Sequence, residues 1–306
     1  MSSAATNTAP TLCLGEAIVD LIGEEWVETM SEIRRFAPHF GGTVANVAVA
    51  AARAGAPTAL VGGAGADDWG RWLVDRLAAE GVDVSRFALL EDLHTQLAFV
   101  AVDRAGEARY ELYGEPSQAL ARAAGDDIAA MVASAGALLI SSNTLAGDDE
   151  RAVTMRAREA ALAGGCPVVF DCNLRLHRWS SPAAAAVASR ACVPGAALVR
   201  ANQPEAELMT GEADPEAAAA ALGAAGARLV VISLGSAGAI LRGEARADVA
   251  AVTAEVLSTI GAGDAFTGVL LGRLAQNGFS AGSAAAALEE AAVAAARACE
   301  HWGALD

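Results

Sequence analysis

The stretch Ser258-Thr259-Ile260-Gly261-Ala262-Gly263-Asp264-Ala265-Phe266-Thr267-Gly268 decides how the chain is read. Two glycines flank an alanine, an aspartate follows, and an apolar run begins at once. This pattern predicts a tight turn that opens into a helix over Ala265–Asn277. Almost no side chain shields the N–H groups of Gly261, Ala262 and Gly263. At a helix N-terminus the first N–H groups lack partners and the dipole is positive, so the corner is a ready anion site. An aspartate at its mouth is an odd choice for plain phosphate binding. It makes sense if Asp264 takes a proton from a nucleophile while the N–H groups hold charge on a transferring phosphoryl group. Read alone, the stretch is described equally well as an ordinary helix after a glycine turn.

Working outward, 306 residues are enough to bury a full core, as one large α/β domain or one domain with a small appendage. Hydrophobic residues make up 54%, yet the apolar runs are too short, or too broken by glycine and charge, to span a bilayer. A net charge of −16 argues against nucleic acid and anionic membranes. All 21 Lys-plus-Arg residues are arginine, so a Walker A lysine, a protein-kinase lysine and a Schiff-base lysine are excluded. Charged contacts to phosphate must come from arginine, backbone N–H groups or a metal. Cys13, Cys166, Cys172, Cys192 and Cys299 form no C-x-x-C pair and are odd in number, which points to free thiols in a reducing cytoplasm. The four histidines lie far apart and suggest no zinc site. Residues 1–10 lack the basic start and apolar core of a signal peptide and are expected to be a disordered tail.

Along the chain, Thr11–Val19 reads as a first buried strand with Asp20 at its exit, where open α/β sheets bind ligands. The competing reading of Asp20 is a solvated turn residue. Gly41-Gly42-Thr43-Val44-Ala45-Asn46 again puts glycines before a helix, and Asn46 in its first turn can cap the helix or bond a ligand hydroxyl. Gly63-Ala64-Gly65 does not continue as a dinucleotide fingerprint, because the third glycine position is Asp68. Thr95–Val102 and Glu107–Tyr113 flank a polar Asp103–Gly106 turn and predict a hairpin. With residues 21–40 this hairpin could form a separate small sheet over the site, a lid that keeps water from the phosphoryl donor. From residue 126 strands and helices alternate, with polar clusters at strand ends: Asp171 to Arg175, Asn202 to Glu205, and Gly235 to Gly238. Such alternation builds a mostly parallel sheet with helices on both faces.

Together these segments resemble the pfkB, or ribokinase-like, family of carbohydrate kinases over roughly residues 11–305. The likeness rests on Gly41–Asn46, on Ser258–Asp264 with Ala265-Phe266, and on Gly65-Ala66-Asp67-Asp68-Trp69-Gly70. Within the family, Thr95–Val100, Arg109–Ser117 and Phe170–Trp179 are most similar to fructokinases. The resemblance implies an α/β, ribokinase-like three-layer α/β/α fold over residues 11–306, with a mostly parallel central sheet and a β-sheet lid from about 21–40 and 94–114. It implies a cytoplasmic, ATP-dependent sugar kinase with Mg2+. Asp264 would be the base and Gly261, Ala262 and Gly263 the anion hole. Asp20, Gly41, Gly42, Asn46 and Arg175 would contact the sugar, and Arg109 is the lid arginine that a carboxylate-bearing sugar would want facing the pocket. Asn202 and Glu205 would order magnesium, Glu205 through water, and Ser233, Gly235 and Gly238 would bind the nucleotide. Ser258 stands where the family usually carries an aspartate that helps hold a monovalent cation, so K+ is the disfavoured cofactor. The expected assembly is a monomer, or a homodimer through the lid. Fructose, phosphorylated on its 6-hydroxyl, is the first expectation. A 2-keto-3-deoxygluconate, ribose or nucleoside kinase is the alternative, and a silent sugar-binding protein the last.

Overall fold

The computed structural model describes residues 9–114 and 117–305. Most of the expected tail at 1–10, and Glu115 and Pro116 of the fructokinase-like segment, lie outside the described residues. The strands are β1 (Thr11–Leu14), β2 (Ile18–Trp26), β3 (Ala37–Gly41), β4 (Thr58–Gly65), β5 (Val82–Asp83), β6 (Phe87–Leu90), β7 (Leu97–Val102), β8 (Ala108–Tyr113), β9 (Ala137–Ser141), β10 (Val168–Asp171), β11 (Leu198–Asn202), β12 (Leu229–Ser233), β13 (Ala239–Gly243) and β14 (Ala247–Val249). The helices are α1 (Thr43–Arg53), α2 (Asp68–Ala79), α3 (Ser117–Ala124), α4 (Ile128–Ala133), α5 (Asp148–Gly164), α6 (Pro182–Ala191), α7 (Gln203–Thr210), α8 (Pro215–Ala224), α9 (Ala262–Gln276) and α10 (Ala281–Ala298).

The main sheet runs β14-β13-β12-β11-β10-β9-β1-β4-β5, with β6 also on β4. Neighbours from β12 to β5 are parallel, and β13 and β14 add an antiparallel edge. Parallel strands need crossovers, and the helices that make them cover both faces. The strand period of two splits each apolar run between two cores. Cys13, Leu60, Leu139, Val169 and Leu198 pack with α1, α9 and α10. Leu12, Leu14, Leu138, Ile140, Phe170 and Val199 pack with α4, α5, α7 and α8. The result is three layers, the ribokinase-like α/β arrangement expected.

The first strand is a correction. Thr11–Val19 is not continuous: β1 ends at Leu14, and the chain turns out through Gly15–Ala17 into β2, which belongs to a second sheet ordered β3-β2-β7-β8. Glu16 anchors the break, its Oε1 accepting from Thr43 N at 3.2 Å and from Asn143 Nδ2 at 3.3 Å. Asp20 therefore lies inside a second-sheet strand, not at a main-sheet strand exit.

The β7–β8 hairpin forms as expected, its turn held by Asp103 Oδ1, which accepts from Ala105 N at 2.9 Å and Glu107 N at 3.1 Å. Asp67 caps α2 through Gly70 N at 2.9 Å and also accepts from Thr95 N at 2.9 Å, fixing the entry to β7. At the far end, Thr259 N and Oγ1 both donate to Gly106 O, at 2.8 and 3.0 Å. Trp26 Nε1 donates to Leu257 O at 3.0 Å, and its ring lies 6.0 Å from that of Trp302. The second sheet is thereby tied to the segment that leads into Gly261.

Candidate active site

The chain crosses itself at the start of two helices. Gly42 N-caps α1 and Gly261 N-caps α9. Gly261 has φ 75°, a left-handed conformation that an L side chain rarely adopts, and a Cβ there would run into Ala304. Gly263 rests on a buried guanidinium: a Cβ would sit 2.8 Å from Arg200 Nη2. The N–H groups of Gly261 and Gly263 find no protein acceptor among the described residues, and that of Ala262 makes only a long bond of 3.4 Å to Thr259 O. The corner is an open set of donors with a cation behind it.

Asp264 follows in the first turn of α9 and is 6% exposed. Its Oδ2 accepts from Asn46 Nδ2 at 2.8 Å and its Oδ1 from Asn173 Nδ2 at 2.9 Å. Burial pushes its carboxyl up to about 7, a shift that the Asn46 hydrogen bond opposes, the Asp171 charge adds to, and Arg175 and Arg200 oppose. Asp20 is 4% exposed and is also pushed up to about 7, first by burial and then by the charge of Asp264, against Arg175 and His39.

Both aspartates line a cleft between the second sheet and the ends of the main-sheet strands. Gly42, Asn46, Tyr110, Asn143, Arg175 and Arg178 contribute to the same wall. Gly41 lies directly beneath the Asp20 carboxylate. The Arg175 guanidinium sits 5.9 Å from the centroid of the Tyr110 ring. Three acceptors on this wall, Asp20 Oδ1, Asn46 Oδ1 and Asn143 Oδ1, are buried without a hydrogen-bond partner among the described residues. Buried polar atoms are rarely left so, and each requires a donor from elsewhere.

The other expected residues fall out differently. Arg109 is a correction: it is exposed, donates to Glu28 O at 2.6 Å, and does not line the cleft. Successive strand residues face opposite ways, and in β8 it is Tyr110 and Leu112 that point into the cleft. Asn202 and Glu205 close a capping box on α7, with Asn202 Oδ1 accepting from Glu205 N at 2.9 Å and Glu205 Oε2 from Asn202 N at 2.8 Å. Glu205 Oε1 also accepts from Leu174 N at 2.7 Å, so both of its oxygens already serve backbone donors. Among the described residues no group of three or more His, Cys, Asp and Glu is arranged to hold a metal ion. Ser233 ends β12 and accepts from Arg200 Nη2 at 3.0 Å, while Gly235 and Gly238 form the exposed turn into β13. Ser258, fully buried, uses its hydroxyl to accept from Ile260 N at 3.0 Å and shapes the approach to the turn.

Arg200, Asn173, Asn143 and Glu16 are the contributors that motif reading passed over. Arg200 looks like the end of an apolar strand in sequence. In the fold it pairs with Asp171 at 3.4 Å, with both side chains buried. Burial works to lower its pKa, yet the charges of Asp171, Glu205 and Asp264 hold it above the ordinary guanidinium value. The only signal for these residues was their place beside strand exits.

A buried carboxylate, an open corner of backbone N–H donors and a wall of unpartnered acceptors are the groups that an enzyme moving a phosphoryl group onto an alcohol needs. The chain belongs to the pfkB family of carbohydrate kinases, whose model matches residues 10–306. It is 30% identical to "Fructokinase-1" of Oryza sativa subsp. japonica over 86% of this chain and 82% of that one. It is 32% identical to "5-dehydro-2-deoxygluconokinase" of Shouchella clausii over 85% of this chain and 81% of that one. Among solved structures, a fructokinase double mutant from Vibrio cholerae O395, bound to fructose, ADP and potassium ion, superposes with a TM-score of 0.84 at 27% identity. That superposition covers 98% of this chain and 95% of the other.

Proposed function

We propose that the enzyme is a fructokinase that transfers the γ-phosphoryl group of ATP to the 6-hydroxyl of D-fructose. The observation that carries a polyhydroxylated substrate is the set of unpartnered buried acceptors on the cleft wall. A sugar supplies several O–H donors to such atoms, and an apolar ligand supplies none. In this reading Asp264, charged, takes the proton of the 6-hydroxyl as its oxygen attacks the γ-phosphorus and the bond to the β-phosphate oxygen breaks. The N–H groups of Gly261, Ala262 and Gly263, with Arg200 behind Gly263, hold the charge on the passing group. Asp20, Asn46 and Asn143 orient the sugar, and Arg175 closes the cleft over it.

The nucleotide would lie along the Ser233–Gly238 turn. A Mg2+ ion would neutralise its phosphate charge, held by Asn202 and Glu205 through water, since Glu205 has no oxygen free of backbone donors for direct ligation. Ser258 offers no carboxylate for a K+ ion, so K+ is the disfavoured of the two cations. The second sheet acts as the lid of a single unit, and the enzyme works as a monomer or as a homodimer through that sheet. No described helix is long and apolar enough to cross a membrane, and all five cysteines are free, which suits a cytoplasmic enzyme.

A second reading, a kinase for a keto sugar acid, is favoured by the presence of both Arg175 and Arg178 on the cleft wall. A coupled ATP-consumption assay over fructose, ribose, 2-keto-3-deoxygluconate and nucleosides separates the two. Fructose should give the highest kcat/KM. A sugar acid preferred by tenfold or more (about 1.4 kcal/mol) would transfer the assignment to the second reading.

A further inference from the structure

We infer that Asn173 is a positioning residue for Asp264, and that the backbone at Asn173 is held in an unfavourable conformation to aim its amide at the carboxylate. Among the described residues only Asn173, at φ 35°, and Phe279 are non-glycine residues with positive φ. Such a conformation persists only where the surroundings over-determine it. Here they do. The carbonyl of Asn173 accepts from Ser142 Oγ at 3.2 Å, Leu174 N donates to Glu205 Oε1 at 2.7 Å, and Cys172 N donates to Arg200 O at 2.8 Å. The loop after β10 is pinned on both sides of the residue.

The side chain then makes one contact that matters to the chemistry, Nδ2 to Asp264 Oδ1 at 2.9 Å, while Asn46 serves the other oxygen. Few residue types suit the position. Glycine tolerates the backbone but donates nothing, and aspartate tolerates it but sets a second negative charge against the first. Asparagine alone among the three combines tolerance with a donor. With one amide on each oxygen the carboxylate cannot rotate, and the charged form that accepts a proton is favoured.

The inference rests on the proposal that Asp264 is the base. The other charged or titratable groups facing Asp264 are Asp20 of β2, Tyr110 of β8, Asp171 and Arg175 around the β10 exit, and Arg200 of β11. All of them remain when Asn173 is replaced.

The test compares Asn173→Gly, Asn173→Asp and Asp264→Asn by kcat, KM and the pH dependence of kcat. For Asn173→Gly, KM for sugar and ATP should stay within about threefold, and kcat should fall by about 10- to 100-fold. The acid limb of its pH profile should move to higher pH, because a donor to the charged form is lost. In Asn173→Asp the limb should move further the same way. An unchanged kcat and limb in Asn173→Gly overturns the inference. A raised KM with unchanged kcat overturns it too, since that describes a sugar contact. Should Asn173→Gly fail to fold, the limb of Asn173→Asp decides alone. Near-normal turnover by Asp264→Asn would instead remove the base, a failure distinct from that of Asn173.

Discussion

Asp264 and Asp20 are two buried carboxylates held near pH 7 by the same cause, loss of water. In the proposed reaction this suits Asp264 to act as a base near neutral pH. Asp264 must be charged to accept a proton, so kcat/KM should fall as pH drops through about 7 and level off above it. A pH profile flat from 5 to 8 would contradict that assignment. Asp264→Asn should keep nucleotide binding and lose turnover by about 10²- to 10⁴-fold, measured by steady-state kinetics beside equilibrium ATP binding.

For stability the sign runs the other way. The folded pKa of Asp20 lies above the ordinary 3.8, so the fold holds the proton more tightly than the unfolded chain does. That contribution is complete below pH 3.8 and is lost as pH rises through about 7. Asp20→Asn carries no such charge. Its melting temperature should exceed that of the parent at pH 8 by on the order of a few degrees, and the gap should shrink at pH 5. An equal gap at both pH values would exclude burial of the charge as the cause. The same variant should bind sugar more weakly.

Among elements, the hairpin and the glycine turn behave as one piece. Gly106 at the tip of β7–β8 accepts two hydrogen bonds from Thr259, two residues before Gly261. In the proposed role of a lid over an anion-binding corner, the hairpin keeps water out only while this fastening holds. Thr259→Val removes the hydroxyl bond and keeps the backbone one. The ratio of ATP hydrolysis to sugar phosphorylation should rise by about two- to fivefold, as the loss of roughly one hydrogen bond's net worth allows. An unchanged ratio would mean that the hairpin does not gate the site. The hairpin itself was readable from its alternation and its Asp103–Gly106 turn. Which face of β8 turns inward was not, because the parity of a strand is set by pairing with β7 and not by its own residues. Arg109, the expected lid arginine, is thereby on the face away from the cleft, and Tyr110 lines it instead.

For the molecule as a whole, the cleft lies between two sheets joined by short excursions of the chain and by the Trp26, Thr259 and Trp302 contacts. Sugar binding should slow amide hydrogen exchange in β2, β7 and β8 together with the 257–261 segment. Protection confined to the sheet would show that the two regions move independently.

Local residues alone determined the glycine turns before α1 and α9, the aspartate that follows the second, the alternation of strands and helices, and the absence of lysine chemistry. These are properties of neighbouring residues, and backbone sterics and hydrophobic period act over a few positions. Only the tertiary structure decided that the first apolar run breaks at Gly15 so that Asp20 joins the second sheet. Only it decided that Asn46 and Asn173 meet one carboxylate from opposite sides, that Arg200 lies under Gly263, and that Glu205 gives its second oxygen to Leu174 N. Those pairings join segments tens to hundreds of residues apart, and burial there, not residue type, sets which groups hold charge.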